Sequence, residues 1–269
     1  MNTTAEFIAS SLLIALTGIP HGSLDHKIAL HRDSRLRLSL FLLQYISSAL
    51  FYLLVWALAP GIALILFLIL TAWHFGETDF VIFGCGKRPI WIIFLYGWSL
   101  TIWLLGQDSA ALAHWLGIIT RESAISVHFI RFATFLPIET WYLVLSLIIL
   151  VNGALGRQQL LVRCAFLLFI YLLSKTSLLT GFILYFAGWH SLNALFHIRT
   201  KVFRKTNLSS MMKQAIPTTM AALAFLLVVA WLGNGEWLQN QGLPALFILL
   251  SVLTLPHMTE MHRLYARKI

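Results

Sequence analysis

Several of the ten histidines of this chain stand where imidazole is expensive: inside or at the ends of oily stretches, beside Gly, Pro, Asp or Trp. Pro20-His21-Gly22-Ser23-Leu24-Asp25-His26 closes the first apolar run, and Trp73-His74-Phe75-Gly76-Glu77-Thr78-Asp79 interrupts the third. Gly188-Trp189-His190-Ser191 lies within a later run, and Pro256-His257 ends the last. Imidazole in hydrocarbon is costly unless it is paired or coordinated, so each of these is a candidate functional group. Several together suggest a metal.

The neighbouring residues refine that chemistry. Asp25, four residues after His21, can orient an imidazole through its second nitrogen, the usual supporting role beside a metal ligand. The competing reading of His21 is a charged cap on a helix C-terminus. Glu77 and Asp79 follow His74 closely and can hydrogen-bond a ligand imidazole or stand near the metal; a structural bond between helices is the alternative. His197 is seven residues after His190, on nearly the same helix face but two turns away. Two ligands on one helix usually sit three or four apart, so His190 is favoured over His197. His257 repeats the Pro-His arrangement at the far end of the chain, with Glu260 three residues later. His26 and His31 read as interfacial, and His262, nearer the polar tail, as exposed.

The elements that must position these groups are membrane helices. Of the 269 residues, 59% are hydrophobic and 11% charged, with a mean hydropathy of +0.83. A soluble domain has about 45–50% apolar and about 25% charged residues. Apolar runs cover about 5–21, 37–58, 61–83, 89–106, 137–155, 160–174, 178–198, 214–233 and 244–257, and a span needs roughly 20 residues. The first, sixth and ninth are short. The fold class expected is therefore all-α, a polytopic transmembrane bundle of about eight to nine spans forming a single integral membrane domain over 1–269. Residues 109–131 are only partly apolar and suit an amphipathic segment on the membrane face.

Charge orients the bundle. The formal net charge of +9 sits mostly in short connections: Lys27 to Arg37, Lys87 and Arg88, Arg157, the stretch Arg199 to Lys213, and the C-terminal tail. This is positive-inside patterning and not a nucleic-acid footprint. With nine spans, it places the chain in the cell (inner) membrane with the N-terminus outside and the C-terminus cytoplasmic. Met1 to Leu16 lacks the basic residues of a signal peptide and reads as an uncleaved first helix. His21, His74, His190 and His257 then all fall in the cytoplasmic half, while His114 and His128 fall on the other side. Arg121, Arg131 and Lys175 sit on the outer side against the trend. Cys85 and Cys164 form no metal or redox motif.

Gly18 to Asp25, Trp73 to Asp79, Tyr185-Phe186-Ala187-Gly188-Trp189-His190-Ser191 and Leu255-Pro256-His257 together resemble the Brp/Blh family of membrane β-carotene 15,15'-dioxygenases, in order and approximate spacing over nearly the whole chain. The resemblance implies a helical membrane enzyme with non-haem Fe(2+) held by histidines. It would cleave the central double bond of β-carotene, or a similar carotenoid, with O2 to give two all-trans-retinal molecules. By position, His21, His74 and His190 match ligand histidines of the family. The family pattern has a further ligand four residues after the third, where this chain has Ala194. Either His257 or His197 completes the site, or the iron has three protein ligands, or the activity is lost or altered.

Independently of that resemblance, neutral imidazoles suit a divalent iron, and aromatic walls suit a flat polyene drawn laterally from the bilayer. Three other classes compete. A membrane di-iron hydroxylase or desaturase needs histidines clustered within a turn, and here His21, His26 and His31 are each five apart. A haem-bearing membrane subunit would show a Soret band. A carotenoid- or lipid-binding protein without cleavage activity would leave carotenoid colour unchanged.

Overall fold

The computed structural model describes residues 12–33, 37–86, 88–121, 123–152, 156–232 and 235–266. The opening of the expected first span (residues 5–11), Lys87, Glu122, Arg267 and Lys268 lie outside them. All regular structure among the described residues is helical. A π-helical turn, Ile14–Gly18, leads into α1 (Ile19–Ser23) and α2 (Asp25–Arg32). Then follow α3 (Leu38–Leu58), α4 (Pro60–Ile82), α5 (Ile90–Leu105), α6 (Ser109–Thr120), α7 (Ala124–Ala133), α8 (Ile138–Asn152), α9 (Arg157–Leu173) and α10 (Leu178–Ile183). A second π-helical segment, Leu184–Ser191, precedes α11 (Leu192–Lys201), α12 (Leu208–Leu232) and α13 (Gly235–Ala266).

By length and composition α3 and α4 can each cross a membrane. So can the bent pairs α5 with α6 (101°) and α7 with α8 (69°), if each pair is one span, which gives two to four spans among the described residues. The sequence divides the chain into more runs than that because hydropathy does not register breaks. The 178–198 run, for example, is split into α10, a π segment and α11. The 109–131 segment is two short helices, each begun by a polar cap: Asp108 accepts from the Ala111 amide and Ser123 from the Ile125 amide.

The chain divides into two compact units, Met1–Leu54 with Phe186–Ile269, and Val55–Tyr185. In the first, α1 packs against α12 and α11, and α2 packs against α13. An apolar core there includes Leu24, Ile28, Ala194, Ile198 and Met261. In the second, α4 lies along α5, and α5 along α8. The α4–α5 contact is backbone against backbone. A Cβ on Gly97 would run into the Ala72 carbonyl oxygen, and one on Gly76 into that of Ile93. Small residues permit this approach in a membrane helix pair, where packing replaces the hydrophobic drive.

Candidate metal centre

His21, His190 and His257 converge within the first unit. Each is buried, and one ring nitrogen from each lies within 4.8 Å of the other two. Among the described residues this is the group of three or more metal-ligating side chains that come together. The ring centroids of His21 and His257 are 4.7 Å apart, and those of His21 and His190 are 5.6 Å apart.

Irregular helix brings two of them there. The π turn Ile14–Gly18 ends three residues before His21, and the second π segment contains His190. π-helical turns are rare and recur at functional sites, because the wider turn re-aims the side chains that follow. The two segments are joined directly. The Thr17 hydroxyl lies 2.9 Å from the carbonyls of both Leu13 and Ala187. A Cβ on Gly18 would stand 3.1 Å from the Phe186 ring, so glycine there admits the aromatic side chain. Phe186 in turn meets His21 edge-on at 5.8 Å and stacks with His190 at 6.0 Å. One aromatic ring thus touches two of the imidazoles and shields them from water.

Two of the three rings have their tautomer set by the fold. His21 Nδ1 donates to the Gly18 carbonyl. His257 Nδ1 donates to the Asp25 carboxylate, 2.9 Å from Oδ1 and 3.0 Å from Oδ2. A proton on Nδ1 leaves the lone pair on Nε2, the arrangement of a metal-binding imidazole. Asp25 therefore orients the imidazole of another helix rather than that of His21. The reason is local: α1 ends at Ser23, and Leu24 breaks the helical path before α2 begins at Asp25. A second tie joins α2 to α13 beside this contact. Glu260, one turn after His257, accepts from Arg32 at 2.7 Å and also from Arg263 at 2.7 Å.

His74 is buried on α4 in the second unit, as are Thr78 and Asp79. The Asp79 carboxylate accepts from the hydroxyls of Tyr96 at 2.8 Å and Tyr185 at 3.1 Å. Glu77 is half-buried. The alternative ligand His197 is outside the three-histidine group and packs edge-on against Tyr265 at 5.7 Å. Ala194 is fully buried in the apolar core. His114 and His128 are exposed on α6 and α7. Half-buried His26 donates from Nδ1 to the Ser23 carbonyl, and burial, with Lys27 beside it, lowers its pKa. The sequence reading did not include Tyr45, whose hydroxyl donates to Asp25 Oδ2 at 2.9 Å, nor the Arg32 partner of Glu260. A tyrosine within an apolar run reads as an ordinary interfacial aromatic, so nothing in the sequence marked it.

The donor set fits one ion. Two nitrogens bound to a metal at about 2.1 Å each are at most about 4.2 Å apart, so small ring rotations close the observed spacing. Three neutral imidazoles suit a divalent transition metal and leave coordination positions open for other ligands.

A family model described as beta-carotene 15,15'-dioxygenase matches residues 12–265. A protein of that name from Uncultured marine bacterium 66A03 is 33% identical over 97 residues, which cover 34% of this chain and 34% of the relative. The matched stretch is thus about a third of that relative's length. No solved structure matches.

Proposed function

The chain belongs to the beta-carotene 15,15'-dioxygenase family, and from that membership we propose that it cleaves β-carotene at the central 15,15' double bond with O2. The products are two molecules of all-trans-retinal. One carbon–carbon double bond breaks and two carbonyl groups form. Both oxygen atoms of O2 leave in the products, so no external reductant is needed.

The observation that carries this reading is the convergence of His21, His190 and His257 in a chain matched by the family model over most of its length. These three side chains would hold Fe(2+), and the ion would supply the activation of O2. His257 fills the place that the family pattern gives to the residue at Ala194. The sequence resemblance also implies His74 as a ligand; it lies in the second unit, where Asp79 accepts from Tyr96 and Tyr185, and the centre proposed is the three-histidine set. Asp25 holds the His257 ring with its proton on Nδ1, and the Gly18 carbonyl does the same for His21. Phe186 fixes two of the rings and keeps water from them.

The chain then forms one domain in the cell inner membrane and, with nine spans, has its N-terminus outside and its C-terminus cytoplasmic. The apolar substrate then enters from the bilayer. Expression in β-carotene-producing cells tests the activity: bleaching with accumulation of retinal is expected. Unchanged colour with well-expressed protein in the membrane overturns the cleavage reading and favours carotenoid binding alone.

A further inference from the structure

The Asp25–His257 contact has a third member. The Asp25 carboxylate is 2% exposed and receives two donors from different helices, His257 Nδ1 from α13 and the Tyr45 hydroxyl from α3. Rotation about the terminal torsion of an aspartate is soft, with a broad energy profile and not three sharp wells. A single bond to an imidazole does not fix it. A second donor, carried on a rigid ring with two side-chain torsions, does.

We propose that Tyr45 is a positioning residue of the metal centre: its hydroxyl holds the Asp25 carboxylate in the orientation that presents both oxygens to His257 Nδ1. The inference rests on reading His21, His190 and His257 as metal ligands. Two consequences follow from the geometry. The tyrosine hydroxyl shares the negative charge of Asp25 and so sets how strongly His257 donates to a metal. It also makes the His257 ring direction independent of thermal rotation of the carboxylate.

Tyr45 does not hold the helices together. Asp25 and Arg32 are seven residues apart on one face of α2, and His257 and Glu260 are three apart on one face of α13. The Asp25–His257 and Arg32–Glu260 pairs are therefore successive rungs between the same two helices, and the second rung does not involve α3. Loss of the Tyr45 hydroxyl leaves both rungs available. Its larger effect belongs to the metal and the smaller to the fold.

The test uses the full chain purified in detergent without metal and titrated with Co(II), whose d–d absorption reports ligand geometry. Tyr45→Phe is expected to weaken Co(II) binding about tenfold, at the lower end of the range for residues that support metal ligands, and to shift the d–d bands. The helical circular dichroism should stay at the wild-type value, and Tm should fall by no more than a few degrees for the one lost hydrogen bond. Asp25→Asn is expected to weaken binding further, and adding Tyr45→Phe to it should change nothing, because the hydroxyl acts only through the carboxylate. Unchanged affinity and spectrum in Tyr45→Phe overturns the proposal. So does an equal loss in the Asp25→Asn background, or a Tyr45→Phe chain that loses its helical signal. A wild-type chain that binds no Co(II) is a separate result: it overturns the three-histidine metal centre itself, and this inference falls with it.

Discussion

Two segments of this molecule have nearly the same wording in sequence and different chemistry in space. His21 is followed four residues later by Asp25, and His74 five residues later by Asp79; both acids are buried. Asp25 lies beyond a break in the helical path and reaches an imidazole from α13 and a hydroxyl from α3. Asp79 lies within the unbroken helix α4, where five residues turn it about 140° away from His74. Its partners are two tyrosine hydroxyls. An acid near a membrane histidine is thus no guide to that histidine's partner. The backbone between them decides which way the acid looks.

The largest expected effect bears on the first segment. His190→Ala removes one of three converging nitrogens, and so do His21→Ala and His257→Ala. Each should reduce bound iron, measured by elemental analysis of the purified chain, to background and abolish bleaching in carotenoid-producing cells. Iron retained in His257→Ala would assign the third position elsewhere and reopen the case for His197.

That prediction also marks where the sequence was legible. His21, His190 and His257 were identifiable because imidazole in an apolar run must be held by something, and the three do come together. Asp25 was recognised as a partner for an imidazole, but which imidazole depended on the turn at Leu24. Tyr45 was invisible because its only mark is a hydroxyl on an otherwise ordinary aromatic. The helical class followed from composition. The π segments did not, since in a run that is apolar on all sides a wider helical turn leaves no trace in hydropathy. Nor did the α4–α5 backbone contact at Gly76 and Gly97, because a glycine in a membrane helix does not announce its neighbour.

The two acids can be set against each other directly. Asp25→Asn should weaken metal binding about 10- to 100-fold, as loss of a carboxylate behind a ligand histidine does, with a smaller change in Tm. Asp79→Leu should do the reverse. It leaves two buried tyrosine hydroxyls without their acceptor, at a cost of about 1–3 kcal/mol for each, and lowers Tm by several degrees. Its affinity for Co(II) should stay within about threefold of wild type, inside the range of indirect effects. Paired Co(II) titrations and thermal melts of the two variants decide the matter. If Asp79→Leu costs as much affinity as Asp25→Asn, the second segment takes part in metal binding, as the sequence resemblance implies for His74.

The smallest effect is expected at a histidine that neither segment contains. His114 is exposed on α6, past the 101° bend after α5, with its ring against Trp115. In the topology proposed from the charge pattern of the loops, it would fall on the side of the membrane opposite to His21 and His257. Replacing an exposed side chain away from caps, cores and buried pairs usually changes stability by no more than about 0.5 kcal/mol. His114→Ala should therefore keep wild-type iron content, wild-type Tm and full bleaching, whereas His190→Ala loses the first and the last. This pair tests topology more than chemistry, since both residues are histidines next to a tryptophan in sequence. Equal damage from the two substitutions would mean that the proposed topology or the metal centre itself is wrong.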